Sequence, residues 1–209
     1  SNLGYAGLYA ICFVDLANGR SYQTDALQAL PLARHAFPEQ AADGEIRFDS
    51  KKLSLQFVSE HGQRRLRFAS TQLHGPDGRG IEGEICLSQS ADLESMNIAT
   101  SWAENRKAFY YNSKLNCLPA SGGFDFGGKH YVLQPERDLA VLDWGRGVWT
   151  YNNTWYWASA SGYLDGVAFG FNLGYGFSDR SPATENLLLY DGKAHKLEQV
   201  EFHFDRSDW

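Results

Sequence analysis

Two hundred and nine residues suffice for one large domain or two small ones, and a chain of this length folds without disulfide or metal staples. Nineteen Lys and Arg against 25 Asp and Glu give a net charge of −6, which speaks against nucleic acid as the main partner because a phosphate backbone needs clustered cations. Thirty aromatic residues and 21 glycines against a single Met favour strands and tight turns over helices.

Residues 3–16 read as the first strand, closed by a turn at Ala17-Asn18-Gly19-Arg20. Their apolar run is shorter than the roughly 20 residues of a bilayer helix and lacks a basic leader, so no transmembrane segment is expected. Ser1-Asn2 in place of a Met, followed at once by apolar residues, reads as a segment of a longer protein. Residues 22–44 lose all alternation and carry Pro31 and Pro38. They read as a surface excursion with one short helix around Asp25 to Leu30, stopped by Pro31.

Period-2 alternation then sets in at Ile46 and Phe48, at Leu53, Leu55 and Phe57, and at Leu66 and Phe68, with a hairpin turn at His61-Gly62-Gln63. Residues 74–80 form a loop and residues 81–87 the next strand. Gly127-Gly128 and Asp191-Gly192 mark two further hairpins, and residues 200–204 alternate as a last strand. No stretch carries a sustained helical period. The class is all-β, an antiparallel lipocalin-like barrel or a two-sheet sandwich with meander connectivity, in one domain over residues 1–209.

Cys12, Cys86 and Cys117 are odd in number and widely spaced, with no CxxC pair. They make no disulfide framework and point to a reduced, cytoplasmic setting. Phosphate-cradling loops, nucleophile elbows and metal-ligand spacings are missing, so neither cofactor nor metal is expected. Glu201, His203 and Asp205 alternate on one face, which reads as solvated.

Residues 108–177 hold 17 of the 30 aromatics but 9 of the 44 charged residues, and so form either the densest core or a ligand-cavity lining. Trp144, Trp149, Trp155 and Trp157 lie there, the last two spaced to face one side of a strand. Asp143 stands in an apolar run with Arg146 three residues on. It reads either as a buried ion pair or as a general acid in a low-dielectric pocket, with Tyr151 and Tyr156 near. Asn112, Lys114 and Asn116, spaced by two, then Asn172, Tyr175, Glu185 and Asn186 add polar groups that knit strands together or line a mouth. Glu185 is the candidate second carboxylate beside Asp143.

The motifs Asn112-Ser-Lys-Leu-Asn-Cys-Leu-Pro-Ala-Ser121, Leu142-Asp-Trp-Gly-Arg-Gly-Val-Trp149, Trp155-Tyr-Trp-Ala-Ser159, Phe169-Gly-Phe-Asn-Leu-Gly-Tyr-Gly-Phe177 and Ala183-Thr-Glu-Asn186 stand in this order. With Leu3-Gly-Tyr-Ala-Gly7 and Asp191-Gly-Lys-Ala-His195 they resemble the domain-of-unknown-function family numbered 2804, over nearly the whole chain. Members of that family run longer at both ends and bring no activity to carry over. A fold-level likeness to lipocalin-like proteins of the carotenoid-hydratase type implies a Trp/Tyr cavity for a small apolar or amphipathic molecule. In its enzymatic form, a hydratase or isomerase, Asp143 protonates an alkene and Trp144 or Trp155 steadies the cation. A carbohydrate-binding module, with rings stacked on sugars, and an interaction protein whose aromatics are only core stay open beside these.

Overall fold

A computed structural model describes residues 6–29, 37–203, 205 and 207, and every regular element among them is a strand. The strands are β1 (Ala6–Asp15), β2 (Arg20–Ala29), β3 (Gly44–Asp49), β4 (Leu53–Glu60), β5 (Gln63–Ser70), β6 (Ile81–Ser88) and β7 (Met96–Ser101). They continue with β8 (Phe109–Phe126), β9 (Lys129–Leu133), β10 (Leu139–Val148), β11 (Tyr156–Leu164), β12 (Val167–Tyr175), β13 (Leu187–Tyr190) and β14 (Lys193–Lys196). All pair antiparallel, in sheets of eight, four and two strands, and none closes into a barrel. The two-sheet alternative of the sequence reading fits this arrangement.

Two expectations need correction. Where a helix was expected around Asp25 to Leu30, the described residues 25–29 belong to strand β2, since Tyr22, Thr24 and Ala26 alternate inward with Gln23 and Asp25 outward and β1 supplies a full ladder opposite. Register with a neighbour outweighs weak local propensity there. Residues 200–203 make no ladder, so Glu201 and His203 share no strand face. Leu3 to Tyr5, Leu30, Pro31 and Phe204, on which parts of the sequence reading rest, lie outside the described residues.

The chain divides into two compact units, Ser1–Gln89 with Ala120–Asp138, and Ser90–Pro119 with Leu139–Trp209. Strand β8, 18 residues long, gives its first part to the second unit and its remainder to the first. In the first unit β3, β4, β5, β6, the end of β8 and β9 form a meander, and the β1–β2 hairpin lies on its inner face. Tyr9 stacks on Phe48 at 4.0 Å, above Leu53 and Leu55. Beside them Phe13, Tyr22, Phe124 and Phe126 pack around Leu73 and Ile81.

In the second unit β8 is flanked by β7 and β10, while β11 to β14 form a second sheet. Met96 and Ile98 of β7, Tyr110 and Cys117 of β8, and Leu187 and Leu189 of β13 share one buried cluster, so the two sheets pack face to face. Each such buried apolar side chain contributes about 1.5–3 kcal/mol. Ser159 and Ser161 of β11 and Gly170, Asn172 and Gly174 of β12 lie on the inner face of that second sheet. Among the described residues no helix is long and apolar enough to cross a membrane. Cys12, Cys86 and Cys117 are all free thiols.

Candidate functional site

The site begins with one face of β8. Tyr110, Asn112 and Lys114 alternate on that face, and the register sets Gly147, Gly145 and Asp143 of β10 directly opposite them. Directly opposed residues of an antiparallel pair project to the same side. Gly145 leaves room for the Asn112 side chain, since a Cβ there would lie 3.1 Å from Asn112 Nδ2, and Gly147 lets the β8 backbone come close, since a Cβ there would lie 2.7 Å from Tyr110 Cα and closer still to Phe109 O.

Lys114, 4% exposed, places Nζ 2.8 Å from Glu185 Oε2 and 3.6 Å from Asp143 Oδ2. The two carboxylates named from sequence thus share one ammonium group. Glu185 is buried and also accepts from Tyr110 Oη at 2.9 Å and from Asn172 Nδ2, which donates 3.0 Å to the Glu185 carbonyl as well. Asn172 Oδ1 in turn accepts from Trp157 Nε1 at 2.7 Å, and the Trp157 ring lies under Lys114 Nζ, 4.5 Å from its centroid. Burial, then the Glu185 charge, then its hydrogen bond push the Tyr110 phenol far above the ordinary tyrosine range. The result is a closed circuit of paired groups in which Asp143 is the open end, its side chain 42% exposed.

Asp143 does not pair with Arg146. A spacing of three along a strand sends the two side chains to opposite faces, and the Asp143 cation comes instead from Lys114 across the ladder. Trp144 also projects to the far face, where its ring meets Tyr111 edge-on at 5.5 Å.

The glycine-rich strand β12 owes its composition to this network. A Cβ at Gly174 would meet Glu185 Oε2 at 3.1 Å, and one at Gly170 would meet Cys117 Sγ and Ala160 O at 2.9 Å. Gly170 faces a β-bulge, where the register slips between Ala140 and Leu142 and Cys117 takes a left-handed φ of 59°. Asn116 anchors the bulge by donating from Nδ2 to Ser159 Oγ, Ala160 O and Phe171 O, and Ser161 Oγ accepts from the Cys117 amide at 2.8 Å. Asn186 Oδ1 accepts from the Gly174 amide at 2.7 Å, so side chains continue the ladder where the strand before β13 breaks. Burial raises the Cys117 thiol above its usual range.

Of the other residues singled out, Trp149 and Trp155 both abut Phe177 edge-on, at 6.0 and 5.4 Å, each about half exposed. Phe177 rests on Tyr110 at 4.7 Å and so ties them to the circuit. Trp155 precedes β11 and does not share a strand with Trp157. Tyr175 stands on the outer face under the Arg180 guanidinium, 3.8 Å from its ring centroid. Tyr151 is fully exposed. Asn112 Oδ1 is buried, and no hydrogen-bond partner reaches it among the described residues.

Tyr110, Phe177, Ser159 and Ser161 were not singled out from sequence. Tyr110 was within reach, since it extends the period-2 series of Asn112, Lys114 and Asn116 by one step. The model of the family described as Domain of unknown function (DUF2804) matches residues 1–209, the whole chain. The chain belongs to that family. Neither the curated proteins nor the solved structures compared with it include a match. In this DUF2804 chain Asn116, Asn172 and Asn186 serve internal pairing and the glycines of β12 serve close packing, while Asp143 and Trp157 are half exposed.

Proposed function

We propose that the second unit binds a small, largely apolar molecule carrying one hydrogen-bond-donating end. The carrying observation is that the half-exposed Trp157 ring and the half-exposed Asp143 carboxylate both meet the Lys114 ammonium, which is held by a buried support of Glu185, Asn172 and Tyr110. Such support holds an acceptor and a ring in place before a ligand arrives, which lowers the ordering cost of binding. Trp149 and Trp155, linked through Phe177 and Tyr110, extend the apolar surface. Asp143 accepts from the ligand's hydroxyl, and the rings bury its hydrocarbon.

The test uses farnesol, an isoprenoid alcohol, titrated against tryptophan fluorescence. Quenching that saturates, and that weakens about tenfold or more in Asp143→Ala and Trp157→Ala, supports the reading. Equal binding by both variants sinks it. A mass change in the bound alcohol would extend it to acid catalysis at Asp143.

A further inference from the structure

Strand register gathers several exposed rings at one end of the second unit. Phe109 opens β8 opposite both Ser101, which closes β7, and Val148, which closes β10. Tyr156 opens β11 opposite Tyr175, which closes β12. Phe177, in the loop after β12, joins the two sheets at this end by meeting Trp102, Tyr110, Trp149 and Trp155 edge-on. Val148, Trp149, Tyr151 and Trp155 are all exposed there, Tyr151 completely. No charged residue occurs from Gly147 to Leu164, and Thr150, Asn152, Asn153 and Thr154 are what separate the rings. Contiguous large apolar groups left in water mark a surface that meets something else. Two of these rings are held from behind by Phe177, so they are presented outward instead of folded onto the sheet.

The charges around this end nearly cancel. Glu185 is taken up by Lys114, and the neighbouring loops otherwise carry Arg106, Lys107 and Arg180 against Glu104 and Asp179. Glu201 adds one more carboxylate beside Phe202, whose ring meets Tyr156 and Tyr175. A chain of net charge −6 thus has a ring-bearing end that is close to neutral. Indole and phenol rings interleaved with hydroxyls and amides match the interfacial zone of a bilayer, where the apolar body sits among acyl chains and the polar edge among headgroups. Near-neutrality selects zwitterionic headgroups over anionic ones. The apolar molecule proposed above points to the same partner, because such a molecule partitions into bilayers and is collected there. We propose that this end of the second unit docks on a zwitterionic lipid surface. Tyr151 and Val148 enter first, and Trp149 and Trp155 connect the contact through Phe177 to Tyr110 of the circuit. The choice of occupant rests in part on the apolar-ligand reading.

The experiment is co-sedimentation of the full chain with phosphatidylcholine vesicles and no added ligand, read together with quenching of tryptophan emission by brominated acyl chains. The expected result is a bound fraction that saturates with lipid and survives high salt, since the attraction is apolar. Quenching should fall sharply when Trp149 and Trp155 are both replaced by Phe. Tyr151→Ser combined with Val148→Ser should weaken vesicle partitioning about tenfold or more. Tyr151→Ser alone should weaken it in part and leave the urea midpoint at the wild-type value, because that side chain is fully exposed. Farnesol should still bind both variants, as neither residue belongs to its site. Wild type that does not sediment, or that sediments no better than the double variant, would overturn the docking surface; farnesol binding in that same protein would leave the ligand reading standing. Vesicle binding lost in the double variant, with farnesol bound by neither protein, supports docking and removes the ligand. Sedimentation only with phosphatidylglycerol, abolished by salt, would overturn the choice of a zwitterionic surface. A rise in mass by light scattering without lipid, removed by Tyr151→Ser, would overturn it as well and assign this end to contact between copies of the chain.

Discussion

Lys114 Nζ sits 2.8 Å from Glu185 Oε2, and both side chains are withdrawn from solvent at 5% and 10% exposure. Neither is tolerable alone. Breaking a buried pair from one side leaves an uncompensated charge, which costs about 3–5 kcal/mol. Lys114→Met and Glu185→Gln should therefore each lower the urea midpoint strongly, and the double variant should cost less than the sum of the two. Strict additivity in that cycle would show that the pair is not coupled.

Tyr110 donates to the same Glu185, and replacing it by Phe removes that donor from a buried carboxylate at a cost of about 1–3 kcal/mol. The phenol is held in its neutral form, its folded-state pKa raised by burial first and by the Glu185 charge next. Its contribution is complete below the ordinary tyrosine range and is lost as pH rises beyond it. The stability gap between wild type and Tyr110→Phe should narrow as pH rises from about 9 to about 12. A gap constant over that span would contradict the assignment.

Gly170 and Gly162 are a matched pair of tests for the glycine-rich sheet. A methyl at Gly170 meets Ala160 O and Cys117 Sγ at 2.9 Å, whereas one at Gly162 meets nothing within 4 Å. Gly170→Ala should destabilise by about 1–3 kcal/mol through overpacking against the bulge. Gly162→Ala should be neutral or stabilising by about 0.5 kcal/mol through the unfolded chain. Equal effects in chemical denaturation would remove the packing explanation.

Asp179 reports on the acid side. Hydrogen bonds from Ser181, side chain and backbone, with Arg106 next, hold its carboxyl below the usual aspartate range. A depressed folded-state value adds stability above the unfolded value and loses it as pH falls through the folded one. Wild type should thus lose its advantage over Asp179→Asn as pH drops below about 4, and denaturation midpoints at several pH values read this directly.

Much of the fold was legible because its signals are local. Alternation at Leu53, Leu55 and Phe57, and the turns at His61-Gly62, Gly127-Gly128 and Asp191-Gly192, depend on neighbours a few residues apart. Strand β2 was not, since its ladder is written in β1. In the candidate site the residue types were legible and their pairing was not. Asp143 and Arg146 are close in sequence, yet alternation parts them, and Lys114 reaches Asp143 only because the β8–β10 register sets the two opposite.

By itself the sequence determined the all-β class, the turn positions and the family, each carried by short-range pattern or by motifs in order. Only the tertiary structure decided that Lys114 is shared by Asp143 and Glu185, and that Gly170 and Gly174 make room for a bulge and a carboxylate. Charge pairing and close packing act through space at a few ångströms. Which groups meet at that range is set by strand register and sheet stacking, and these join residues as far apart in the chain as Tyr110 and Glu185.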